Sequence, residues 1–158
     1  MTADPLCWYW PPQLPSRGLA QERFEARMER NGCTREEIRI LWAMECAADA
    51  YISDGAVTLA AWQDGRCAIC GKVRDLVCDH DHQTGLVRGW LCQSCNAGEG
   101  THHEGDTIFE RYRQRPPAAI LGITVRYLNP VTGREAGPAL EVLDADRWVD
   151  AASDDIGL

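Results

Sequence analysis

Apolar positions first recur at a helical period in GLAQERFEARMERNG, where Ala20, Phe24 and Met28 share a face with Arg27 and Gly32 ends the run. A second helix is predicted over CTREEIRILWAMECAADAYIS. Thr34 and Glu37 have the spacing of a capping box, and Ile38, Leu41, Trp42, Cys46 and Ile52 form the apolar stripe. From Thr58 to Trp62 the pattern predicts only a short turn, closed by Asp64-Gly65. The period then changes. LVCDH (76–80) and LVRGWLC (86–92) read as two short strands around a Gln83-Thr84-Gly85 loop. SCNAGEG opens a helix that Gly98 and Gly100 weaken, and GDTIFERYRQRPP predicts another from about Asp106 until Pro116 stops it.

The remainder is less periodic. Residues 1–16, rich in proline and tryptophan, predict an irregular arm. Residues 120–149 read as ordered but mixed, and DAASDDIGL as an acidic solvated tail. The expected fold class is therefore α+β: a small metal-stapled hairpin-and-helix core, with N-terminal helices and a mixed C-terminal extension. The expected boundaries are 1–57 for the arm and helices, 58–116 for the core and 117–158 for the extension. No apolar run approaches the ~20 residues that cross a bilayer. The opening MTADPLCWYWPPQLP lacks a basic start, and prolines interrupt its apolar part, so it does not resemble a signal peptide. An intracellular location without membrane contact is expected.

That location changes how the eight cysteines are read. In a reducing compartment, paired cysteines bind metal more often than they form disulfides. Cys67/Cys70 and Cys92/Cys95 are two CxxC knuckles with residues 71–91 between them, the arrangement of a four-thiolate zinc site. A closed site of this kind leaves no position for substrate, so its zinc would be structural. Cys7, Cys33, Cys46 and Cys78 lack such spacing and read as small buried hydrophobes.

Inside the zinc loop lies CDHDHQTGLVRGWLCQSCNAGEG. On a strand, Asp79 and Asp81 face one side and His80 and His82 the other. If the staple draws the following helix toward the hairpin, Asn96 meets Asp79, and two hard oxygen donors suit Mg²⁺ better than zinc. A histidine beside such a metal can take a proton from water near neutral pH. The same residues also read as surface polar groups or as partners of the zinc ligands, and spacing alone leaves both readings open.

The net charge of −8 argues against generic affinity for nucleic acid. It is unevenly spread: residues 109–134 hold five arginines against one acidic residue, whereas 135–158 hold seven acidic residues against one arginine. Arg88, in the hairpin, and Arg111, Arg113 and Arg115 just after it are the candidate nucleic-acid contacts. An acidic tail at 144–158 could occupy that basic groove.

CAIC, then DHDHQTGLVRGWLCQSCNAGEG, resembles the phage recombination endonuclease VII family, a zinc-stapled branch of the HNH or ββα-metal nucleases. The resemblance covers about residues 60–100. It implies structural zinc on Cys67, Cys70, Cys92 and Cys95, and a catalytic Mg²⁺ or Mn²⁺ on Asp79 and Asn96. It also implies that His80 is the general base, that His82 orients the scissile phosphate and that Glu99 supports the metal site. The implied reaction is hydrolysis of a DNA phosphodiester, leaving 5′-phosphate and 3′-hydroxyl, in a homodimer that resolves branched DNA such as Holliday junctions. Residues 1–55 have no counterpart in that pattern. The competing expectation is a zinc-ribbon binding or scaffold module without chemistry, which needs the four cysteines but not Asp79, His80, Asn96 and Glu99.

Overall fold

The computed structural model describes residues 3–52, 55–129 and 131–136. Ile52 of the expected apolar stripe and the acidic tail, with its suggested place in a basic groove, lie outside what it describes of side chains and chain respectively.

Two of the predicted helices form, and the second has the expected cap. Helix α1 spans Arg17–Arg30, with the Ser16 hydroxyl accepting from Leu19 N–H, and it buries Ala20 and Phe24. Helix α2 spans Arg35–Ile52. Its capping box closes reciprocally: Thr34 N–H donates to Glu37 Oε2 at 2.7 Å and Glu37 N–H to Thr34 Oγ1 at 3.3 Å. Phe24 and Trp42 hold the two helices together, with ring centroids 5.3 Å apart.

The short turn expected at 58–62 is instead a helix, α3, over Ala56–Gln63. Burial decides this, because Leu59, Ala61, Trp62 and Gln63 are all withdrawn from solvent against α1 and the sheet described next. Its end is the expected Asp64-Gly65, both in the left-handed region (φ 50° and 73°).

Strands β1 (Leu76–His80) and β2 (Val87–Cys92) pair antiparallel, from Leu76 opposite Cys92 to Asp79 opposite Gly89. Beyond that pair the register shifts and His80 pairs with Val87, so Arg88 is the extra residue of a bulge. The strand alternation expected across all of Asp79–His82 therefore ends at His80. Asp81 turns the loop instead, its Oδ1 accepting the N–H groups of Gln83 (2.7 Å) and Thr84 (3.0 Å).

Helix α4 (Gln93–Thr101) follows β2 directly. Gly98, which weakens this helix in isolation, is required by packing: a Cβ there would overlap the Phe109 ring. Helix α5 (Ile108–Gln114) starts two residues later than expected, capped by Thr107, and Pro117 opens a separate short helix, α6 (Pro117–Leu121).

The main core gathers Cys7, Trp62, Cys67, Ala68, Ile69, Leu91, Cys92 and Tyr112. The N-terminal arm, read from sequence as irregular, is part of it. A 3₁₀ turn over Leu6–Tyr9 docks on the first knuckle through Leu6 N–H to Ile69 O and Cys7 N–H to Ala68 O, both 3.0 Å. Burial pushes the Cys7 thiol up to about 12, as it does Cys78; Cys7 is the buried apolar filler expected, whereas Cys33, Cys46 and Cys78 are only half-buried. Gln63, fully buried, pins α3 to β2: its amide donates to Trp90 O (3.0 Å) and accepts from Trp90 N–H (2.8 Å). A second, smaller core of Leu59, Val87, Ala118 and Val125 joins α3, β2, α6 and residues 123–127.

Candidate active site

The four knuckle cysteines converge. Their sulfurs lie within 4.8 Å of one another, with Cys70 Sγ 3.9 Å from Cys92 Sγ. Sulfurs at ~2.3 Å from a tetrahedral zinc would be just under 4 Å apart, so the donor set fits that ion. None of the cysteines is in a disulfide. The cluster joins the knuckle before β1 to the junction of β2 and α4, and so fixes where α4 begins.

Above it, one arginine gathers three of the predicted site residues. Arg88 Nε lies 3.1 Å from Asp79 Oδ2, an ion pair in which the N–H is not aligned for a hydrogen bond. Nη1 lies 3.0 Å from Glu99 Oε1, and Nη2 donates to the His80 carbonyl at 3.0 Å. The bulge makes this possible, because it turns the Arg88 side chain toward β1 and α4. Asp79 and Glu99 are both buried, and such carboxylates persist only when paired. The Tyr112 hydroxyl donates to Asp79 Oδ2 at 3.0 Å, while Arg113 Nη1 donates to Glu99 Oε1 at 3.0 Å. Asp79 Oδ2 thus takes both of its contacts, and Oδ1 has no protein partner among the described residues.

Burial pushes Asp79 up to about 6, against the opposing pull of Arg88. Burial likewise lowers His80, helped by repulsion from His82 and Arg88, so its imidazole is neutral at physiological pH. Burial and the Asp79 charge keep the Tyr112 phenol protonated as a donor.

His80 and His82 stack, with ring centroids 4.7 Å apart and planes within 6°. Asn96 stands one turn before Glu99 on α4, on the same helix face. Asp79 and Asn96 carry oxygen donors of the type a hard divalent cation takes, but no direct polar contact joins them among the described residues.

The four candidate arginines sit differently from a free basic surface. Arg88 is 13% exposed and bound to carboxylates. Arg111 pairs with Asp4 and Asp106, and Arg113 with Glu99 and Glu110. Arg115 is exposed, lies over the Trp8 ring and has no carboxylate partner among the described residues.

Sequence reasoning missed three contributors: Gln63, Tyr112 and Tyr127. Tyr112 carries no local signal, since its partner is 33 residues away. Tyr127 has one: Ile123, Val125 and Tyr127 alternate as on a strand.

The model of the recombination endonuclease VII family matches residues 43–115. Among curated proteins, the chain is similar to the Gene 59 protein of Mycobacterium phage L5, 40% identical over 119 residues, covering 70% of this chain and 69% of that protein. It is also similar to the Gene 59 protein of Mycobacterium phage D29, 43% identical over 67 residues, covering 40% of this chain and 38% of that one. No solved structure matches the chain.

Proposed function

The chain belongs to the recombination endonuclease VII family, and on that premise we propose that it is a metal-dependent endonuclease hydrolysing DNA phosphodiester bonds. In this reading β1, β2 and α4 are the ββα-metal unit, and Cys67, Cys70, Cys92 and Cys95 hold a structural zinc. The observation that carries the reading is the Arg88 clamp. A single guanidinium ties Asp79 on β1, Glu99 on α4 and the backbone of His80 to one point beside the cysteine cluster. A bare zinc ribbon has no use for that convergence of buried carboxylates.

Asp79 and Asn96 would hold one Mg²⁺ or Mn²⁺, which when bound supplies positive charge at the phosphate and at the leaving oxygen. His80, neutral at physiological pH, takes the proton of the attacking water. His82, exposed at the mouth of the loop, orients the scissile phosphate. Glu99 acts at one remove: with Arg113 it fixes Arg88, which fixes Asp79. Attack by water with departure of the 3′ oxygen leaves 5′-phosphate and 3′-hydroxyl. Of the four candidate arginines, Arg115 is the one ready to meet a phosphate; Arg88, Arg111 and Arg113 would have to exchange a carboxylate to do so. Binding is then modest and falls steeply with salt.

The test compares linear duplex, single-stranded, nicked and four-way DNA with wild type and His80→Ala in Mg²⁺. Cutting that needs the divalent ion and disappears in the variant, while zinc stays at one per chain, supports the reading. DNA bound but left intact by wild type would instead mark a zinc-ribbon binding module.

A further inference from the structure

Residues 125–129 and 131–136 lie outside the span matched by the family model, yet they fold back onto the β1–β2 loop. Val87 N–H donates to Val125 O (2.8 Å) and Tyr127 N–H to Gly85 O (2.9 Å), bracketing a bridge between Leu86 and Arg126. The ribbon closes on itself through a bridge between Leu128 and Glu135 and through Ala136 N–H to Tyr127 O (2.7 Å). Gly85 permits this approach: its φ is +73°, and a Cβ there would overlap the Ala136 carbonyl.

The ribbon delivers the Tyr127 ring onto His80, with centroids 3.8 Å apart and planes within 3°. His82 is the other ring parallel to His80, at 4.7 Å. Two rings this close and this parallel cannot share one face of an imidazole without overlapping, so His80 is sandwiched between them. Rotation about the imidazole χ2 is otherwise broad. Here it is held by aromatic contact on both faces, and the imidazole offers its edge.

We propose that Tyr127 is a positioning residue for His80, stacking on the imidazole so that a ring nitrogen is presented edge-on to the attacking water. The inference rests on the reading of His80 as general base. Holding a reacting group in line is worth much in rate, and a misplacement of ~1 Å can cost about 10²-fold. Stacking needs the ring and not the phenol hydroxyl, so Phe should restore what Ala removes.

The experiment measures nicking of supercoiled DNA in Mg²⁺ by the full chain as wild type, Tyr127→Phe, Tyr127→Leu and Tyr127→Ala. Zinc content and the ¹H–¹³C resonances of the His80 ring are recorded on each protein. Tyr127→Phe is expected within about 3-fold of wild type, and Tyr127→Ala about 10- to 100-fold lower in kcat, with KM little changed and zinc at one per chain. The His80 ring resonances should move when the Tyr127 ring current is lost. Tyr127→Leu keeps an apolar side chain on the ribbon and should be as slow as Ala; it carries the test if Ala does not fold. Active wild type with Leu or Ala at full rate overturns the inference, as do equal losses in Phe and Ala or unmoved His80 resonances. A wild type that cuts no DNA overturns the nuclease reading itself, and the inference with it.

Discussion

Arg88 Nε stands 3.1 Å from Asp79 Oδ2, so the arginine of the hairpin serves a carboxylate of its own chain before any phosphate. Its other two nitrogens bind Glu99 and the His80 carbonyl. An arginine in a basic-looking stretch is thereby turned into the internal brace of the candidate site.

Replacing Arg88 by Ala leaves two buried carboxylates without their shared cation: Glu99 keeps Arg113, and Asp79 keeps only the Tyr112 hydroxyl. Breaking a buried pair in this way costs about 3–5 kcal/mol. Thermal or urea denaturation should show that loss, cutting should fall to background, and zinc content should not change. A variant that cuts normally would remove the clamp from the mechanism.

Asp79→Asn should separate stability from activity. Burial raises this carboxyl to about 6, so at pH 7 the fold bears the cost of holding it ionised. A raised folded-state value means that the folded protein takes up its proton before the unfolded chain does. Stability from this group therefore grows as pH falls from above 6 toward 4. With zinc present and no other divalent ion, the neutral Asn should stabilise the protein at pH 7 by about 1–3 kcal/mol. That advantage should shrink below pH 6 and be gone near pH 4. Melting curves at pH 7, 5.5 and 4 read this directly; the same variant should not cut DNA.

Gln63 satisfies both backbone groups of Trp90 from a fully buried position. Gln63→Leu keeps much of the volume but orphans the Trp90 N–H, while the Trp90 C=O keeps the Ala68 N–H as a donor. The expected loss is about 1–3 kcal/mol in chemical denaturation, the cost of one unsatisfied buried group. A variant as stable as wild type would mean that water replaces the amide.

Removing the cluster metal should unfold the site. A structural zinc contributes on the order of 10–16 kcal/mol in small domains, whereas net stability is typically about 5–15 kcal/mol. Chelation, or Cys95→Ser, should therefore abolish the dispersed NMR signals of β1, β2 and α4. Mass spectrometry of the native protein should find one zinc per chain. A folded hairpin after complete chelation would show that packing alone suffices.

Much of the site was legible because its signals are local. The two knuckles, the hairpin around Gln83-Thr84-Gly85 and the capping box of Thr34 and Glu37 each lie within a few residues, where spacing dictates geometry. The residues that complete the site are remote from it in the chain. Cys7 enters the core beside Cys67, Tyr112 reaches Asp79 from α5, and Tyr127 reaches His80 from beyond α6. The arginine cluster shows the same limit, since Arg111 meets Asp4 across most of the chain.

By itself, then, the order of residues determined the thiolate chemistry, four cysteines in two knuckles, and placed carboxylates, histidines and an asparagine close to them in the chain. Only the tertiary structure decided which of those groups are buried, paired and aimed. Side-chain type and spacing act over one or two turns. The burial that raises Asp79, the clamp that holds it and the ring that covers His80 all come from segments joined by folding alone.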